Sequence, residues 1–378
     1  MLPVSKTPSP MDCSTSPSVE LQDPDHDRQV SDNVNSDDET ARVRFLRRKL
    51  SVSGTDINLD GFENDDISHD IPNQVIHKNK HCINEYFGKS QKGYVPYNLK
   101  KANQDTLLMK EDLKTGTIIL AVFDGHGEHG HCVSESISDT FYRKLINHPL
   151  YETNLKEAAV DSLDKAESQC IQNNYINSDL SGTTANIWII RNTHLLVLNV
   201  GDSRGMLVSQ DDDKLVTTFE TEDHKPAVKE ESDRILENGG RVFSLTYDDG
   251  EVGPLRVWLK HSDIPGLAMT RSLGDCLSHT VGVLSTPTVY ERELTDKDKI
   301  IVIATDGLWE FITKEEVVGV LDKAQDTEDA VNTLSSLSWK KWYNEEQVVD
   351  DITIIVACME EDDEDNDNMY LEDKPLIG

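Results

Sequence analysis

The sequence lacks a long apolar run: no stretch approaches the ~18 residues of a membrane-crossing helix. The start, MLPVSKTPSP, holds no apolar signal core, which predicts no secretory leader. Residue 2 is Leu2, so the N-terminal glycine needed for myristoylation is missing. Paired cysteines are lacking too. Cys13, Cys82, Cys132, Cys170, Cys276 and Cys358 are scattered, with no CxxC spacing. That argues against a zinc knuckle and predicts free thiols in a reducing cytoplasm or nucleus. Positive charge is scarce. Lys plus Arg number 37 against 70 Asp plus Glu, a formal net charge of −33. A surface that acidic argues against a general nucleic-acid binder and against docking on anionic lipid. Hydrophobic residues make up only 37% and aromatics 6%, so part of the length is expected to lie outside any packed core.

Residues 1–75 are rich in Ser, Pro, Asp and Asn and show no sustained apolar period, which predicts disorder. Inside them a basic island, 41–54, carries Arg42, Arg44, Arg47, Arg48 and Lys49. Ser51 follows Arg47 and Arg48 there, an arrangement that resembles a basophilic kinase site. At the other end, the acidic run 359–368 predicts a solvated tail over 360–378. Residues 76–359 read as one folded domain. Strand-like runs occur at 117–123, 183–190, 194–200, 299–305 and 352–358, each short, β-branched and bounded by Gly, Asp or Asn. Helical patterns cover 131–147, with Val133, Ile137, Phe141 and Leu145 four apart, and 155–172, with Leu155, Ala158, Ala159, Leu163 and Ala166. Two more are expected at 224–240 and 314–324. Only Arg191, Asn192 and Thr193 join two of the strands, too few for a crossover helix. That favours an α+β fold of antiparallel sheets with helices packed outside.

The chemistry-bearing residues end those strands. Asp124 follows AVF, Asp202 follows LNVG, Asp306 follows IAT, Asp350 and Asp351 precede ITIIV, and Asp105 precedes TLLM. A single such aspartate is a turn former or cap. Five segments that each bring a carboxylate to the lip of an apolar strand would repel one another without a cation. Hard dications such as Mg²⁺ and Mn²⁺ take all-oxygen shells of this kind. Gly125, after Asp124, allows close approach of a backbone carbonyl or ligand. Two such ions can orient an in-line displacement at phosphorus.

The segments DGHGEHG (124–130), SGTTA (181–185), VGDSRG (200–205), DHKP (223–226), NGGRV (238–242), GLAMTRSLGD (266–275), ATDGLW (304–309) and DDIT (350–353) occur in a telling order. That order resembles the PPM-type, protein phosphatase 2C-like serine/threonine phosphatases, over about residues 82–358 and nearer the plant and protist branch. The resemblance implies a four-layer α-β-β-α sandwich of two antiparallel sheets flanked by helices. It implies a Mg²⁺- or Mn²⁺-dependent phosphatase acting on phosphorylated proteins, by in-line attack of a metal-bridging hydroxide. Asp124 would bridge two metals and Gly125 would give one its carbonyl. Asp306 and Asp350 match further ligands, and Asp202 matches a third, weaker metal position. His126 matches the general acid that protonates the leaving seryl or threonyl oxygen, a task suited to imidazole. His129 and His131 are given no chemical role. SGTTA and GDSR are read as parts of the central sheet, and Arg204 as the partner of a carboxylate. A monomer in the cytoplasm or nucleus, with no nucleic-acid partner, is expected.

Three positions depart from the family pattern. Gln104 stands where a Glu often sits, while Asp105 keeps the second carboxylate. Lys100 or Lys101 must replace the phosphate-clamping arginine, and spacing does not choose between them. Either lysine is a point charge without the two-pronged fork of arginine. Glu310 stands where an Asp is usual, which weakens the expectation of a third metal. Loops over about 206–265 are expected to include a flap beside the site. Competing readings are a catalytically dead relative, which would lack Asp124, Asp306 or Asp350, and a metal-dependent phosphohydrolase acting on small molecules or nucleic acid.

Overall fold

The computed structural model describes residues 75–76, 83–246 and 252–359. Apart from Val75, the expected disordered segment, its basic island and the acidic tail lie outside these residues. The first elements in chain order are β1 (Val75–Ile76), β2 (Ile83–Gln91), β3 (Asp105–Asp112), β4 (Thr117–His126), α1 (Gly130–Ile146) and α2 (Leu155–Ile171). Next come β5 (Gly182–Thr183), β6 (Ala185–Arg191), β7 (His194–Val200), β8 (Arg204–Asp211), β9 (Lys214–Glu220) and α3 (Lys229–Glu237). They are followed by β10 (Arg241–Thr246), β11 (Val252–Trp258), β12 (Pro265–Leu267), β13 (Leu273–Gly274), α4 (Cys276–His279) and β14 (Thr288–Glu293). The chain closes with β15 (Asp298–Ala304), α5 (Asp306–Trp309), α6 (Lys314–Leu321), α7 (Thr327–Glu346) and β16 (Ile352–Met359).

One sheet runs β1-β2-β16-β15-β8-β9, and a second runs β13-β5-β4-β6-β7-β14 with β3 added beside β4. Their pairings are antiparallel, as the short connections require. β4 shows why its run looks continuously apolar. Successive side chains point to opposite faces, and both faces of this strand are covered. Ile119, Ala121 and Phe123 pack against Val133, Ile137 and Phe141 of α1 and Leu163 of α2. Ile118, Leu120 and Val122 face the other way, against Leu207, Ile301, Ile303 and Ile355 of the first sheet. The outer face of that sheet carries Val302, Ile354 and Val356 under Val317 of α6 and Leu334 and Trp342 of α7. The order helices, sheet, sheet, helices is the expected α-β-β-α sandwich. Among the described residues no helix is long and apolar enough to cross a membrane.

Two expectations need correction. The helix anticipated over 224–240 begins only at Lys229. Its first residues are tied elsewhere: the His224 backbone N–H donates to Gly201 O, and His224 Nδ1 accepts from Gly201 N at 3.1 Å. The flap expected over about 206–265 narrows, because β8 and β9 are strands of the first sheet. What stands apart is the small sheet β10-β11-β12, with its own core of Ile235, Val257, Leu267, Val281 and Val283.

Candidate active site

The strand ends converge because β3 and β4 pair in a register that sets Asp105 directly opposite Asp124. Both are nearly buried, 8% and 4% exposed. Asp124 is fixed on both sides by Thr184. Its N–H donates to Thr184 Oγ1 and its carbonyl accepts from Thr184 N, each at 2.9 Å. Thr184 Oγ1 in turn meets Ser203 Oγ at 2.7 Å. The SGTTA and GDSR segments thus hold the central aspartate in place as well as building the sheet. Gly125 must be glycine, since an added Cβ would lie 2.4 Å from Gly130 O and 2.6 Å from Gln104 O.

Asp306 and Asp350 reach the same lip from the first sheet. Thr305, the N-cap of α5, donates through Oγ1 to Asp105 Oδ2 at 2.9 Å. Its N–H binds Thr353 O and its Oγ1 accepts from Thr353 N, which locks the DG turn to the DDIT turn. From outside, Ser338 Oγ and Trp342 Nε1 of α7 both donate to Gly307 O at 2.6 Å. Asp350 is buried, with Oδ1 accepting from Asp351 N at 2.7 Å. Asp351 is a latch: its oxygens accept from Gly93 N at 2.7 Å, Gln104 N at 2.9 Å and Lys101 Nζ.

The two candidate clamping lysines separate. Lys101 lies at the site, paired with Asp351 and 3.8 Å from Asp350 Oδ1. Lys100 is exposed. Gln104 is tied to the turn that follows β4. Its Nε2 donates to Gly127 O at 2.7 Å, and its carbonyl accepts from Gly125 N and Ser134 Oγ. Arg204 forms a two-pronged pair with Asp223, at 2.9 and 2.8 Å.

Three contributors were given no individual role by the sequence. Lys225, in DHKP, stands 3.7 Å from both Asp202 Oδ2 and Asp223 Oδ2. Burial pulls its pKa down, but Asp202, Asp223, Asp306 and Glu310 outweigh burial and hold the ammonium charged. Asp202 and Asp306 therefore both act on the Lys225 ammonium. Asp351 is the second, indistinguishable by spacing from its neighbour Asp350. The third is Asp275, whose Oδ2 lies 2.6 Å from His126 Nε2.

The donors fit a hard dication. They are carboxylates with a backbone carbonyl beside them, and two of them face each other across a ladder. Among the described residues no three His, Cys, Asp or Glu side chains form a ready-made cage. Mg²⁺ keeps several waters and is held by one or two carboxylates, so a lip of separated carboxylates suits it better than a closed cage.

The family model described as protein phosphatase 2C matches residues 98–340, which include Lys101, Asp105, Asp124, His126, Asp202 and Asp306. The chain is 31% identical over 293 residues to probable protein phosphatase 2C 73 of Oryza sativa subsp. japonica, covering 68% of this chain and 69% of that one. It is 32% identical over 273 residues to probable protein phosphatase 2C 61 of Arabidopsis thaliana, covering 69% and 81%. A crystal structure of serine-threonine phosphatase 2C from Toxoplasma gondii shares the fold, with a TM-score of 0.65 at 19% identity over 77% of this chain and 100% of that chain. Sequence and architecture agree with the order of strand-end carboxylates: the chain belongs to the protein phosphatase 2C family.

Proposed function

We propose that this protein is a metal-dependent protein serine/threonine phosphatase that hydrolyses phosphoserine and phosphothreonine in other proteins. The observation that carries the reading is the buried Asp105–Asp124 pair, directly opposed in the ladder, with Thr305, the neighbour of Asp306, bonded to Asp105. Opposed like charges destabilise a sheet, so this arrangement is suited to holding cations. Asp124, Gly125, Asp306 and Asp350 would hold two Mg²⁺ or Mn²⁺ ions, with Asp105 beside them and Asp202 at a weaker third position. The bound ions supply Lewis acidity and an activated water for in-line displacement at phosphorus.

The chain's own residues do the rest. Lys101 offers positive charge to the phosphoryl oxygens, in competition with Asp351. His126 protonates the departing seryl or threonyl oxygen, which is a poor leaving group as an alkoxide. Thr184 fixes the Asp124 backbone, and Thr305 holds the Asp105 carboxylate. The test is phosphate release by the purified full chain from a phosphothreonine peptide. Activity should require added Mn²⁺ or Mg²⁺ and vanish with EDTA. Turnover that survives exhaustive EDTA treatment, or none on any phosphoserine or phosphothreonine peptide, overturns the reading.

A further inference from the structure

Three strands meet beside the proton donor. His126 of β4 pairs with Gly182 of β5, and Gly182 pairs with Gly274 of β13. Asp275 follows Gly274. Its carboxylate reaches His126 across the intervening strand, through the space that Gly182 leaves open. A Cβ on Gly182 would stand 2.3 Å from Asp275 Oδ2. The contact that results is His126 Nε2 to Asp275 Oδ2 at 2.6 Å, and Ser272 Oγ donates to the same oxygen at 2.6 Å.

One feature sets Asp275 apart from a turn residue. It is wholly buried, and a buried carboxylate is costly unless it is met by hydrogen bonds or charge. The plain alternative is a helix cap, because Asp275 precedes α4. Its side chain makes no capping hydrogen bond.

We infer that Asp275 is a positioning residue for the reaction: through its contact with Nε2 it fixes the orientation of the His126 imidazole for proton delivery to the leaving-group oxygen. The inference rests on the proposed role of His126 as proton donor. It gives SGTTA and the LGD of GLAMTRSLGD a shared task, one opening the path and the other supplying the carboxylate.

The test compares a phosphothreonine peptide with p-nitrophenyl phosphate, whose leaving group needs little protonation. Asp275→Asn should lower kcat on the peptide by at least about 10-fold, with a several-fold smaller loss on p-nitrophenyl phosphate and KM changed by less than about twofold. His126→Gln should show the same selectivity, and the double variant should fall no lower than His126→Gln alone. Equal losses of Asp275→Asn on both substrates, or additive losses in the double variant, overturn the inference while leaving a selective His126→Gln intact. A His126→Gln that loses equally on both substrates overturns the proton-donor reading and the inference with it. Should Asp275→Asn fail to fold, Ser272→Ala takes its place, with a selective loss of about 3-fold supporting the inference and an unselective one overturning it.

Discussion

Asp105 and Asp124 face each other across the β3–β4 ladder, each almost wholly removed from water. Directly opposed like charges weaken a sheet, and burial removes the screening that would soften the repulsion. The surroundings hold them there regardless. Thr305 pins the first and Thr184 pins the backbone of the second. The site is therefore built at the expense of the sheet that carries it, and a bound cation turns the liability into stabilisation.

Removing one of the two charges should separate function from stability. Asp124→Asn is expected to raise the melting temperature in EDTA, because the opposed pair is broken. The same substitution should lower kcat at least about 100-fold, a loss of about 3 kcal/mol of transition-state stabilisation. It should also shrink the rise in melting temperature that Mn²⁺ gives the wild type. Thermal scans with and without metal, alongside phosphopeptide turnover, check all three.

The two neighbouring lysines should behave differently. Lys101→Ala is expected to raise KM for a phosphopeptide about 10-fold, the loss of one charge-assisted contact of about 1.4 kcal/mol. Lys100→Ala, exposed and away from Asp350 and Asp351, should leave KM within about twofold. Steady-state kinetics on both variants decide. Equal effects would show that Lys101 serves only Asp351.

The aspartates were legible because each sits where an apolar run starts or stops, and a run such as 117–123 is hard to mistake. Their supports were not. Asp275 is separated from His126 by 149 residues, and no local pattern links them. The 20-residue α7 also went unread. Its buried face mixes Ala330, Val331, Leu334 and Trp342 with Ser335 and Ser338, so the apolar period is broken. One of those serines, with Trp342, holds the Gly307 carbonyl. The polar interruptions that hid the helix are part of what braces the site. The helix expected over 224–240 starts late for a related reason: DHKP places residues at the site, and helix formation waits until Lys229.

Acid should destabilise the fold through His224. Burial, followed by the charge of Arg271, pushes its pKa down from 6.5 to about 4. Above pH 6.5 the ring is neutral folded or unfolded, so it contributes nothing to pH dependence. Between pH 6.5 and about 4 the unfolded chain binds the proton and the folded protein does not, so stability falls. The loss accumulates to roughly 3 kcal/mol. His224→Gln can still accept from Gly201 N and has no proton to take up. Its melting temperature should therefore fall less steeply over this window than that of the wild type. Parallel slopes would assign the acid sensitivity elsewhere.

The remaining prediction concerns the ammonium of Lys225. It stands 3.7 Å from Asp202 and from Asp223, and it also feels Asp306 and Glu310. Asp223 already has a two-pronged partner in Arg204. The Lys225 charge therefore bears chiefly on Asp202, Asp306 and Glu310, the carboxylates around the expected third metal position. A fixed ammonium there partly neutralises the cluster when no dication is bound. Lys225→Gln removes that charge and keeps a polar side chain. In EDTA the variant should melt about 3–6 °C below the wild type, the equivalent of roughly 2 kcal/mol in a domain of this size. With saturating Mn²⁺ the gap should narrow, because the dication neutralises the carboxylates that the lysine no longer meets. A gap of the same size in both buffers would mean that Lys225 serves only as a second partner for Asp223, with no part in the metal-binding lip.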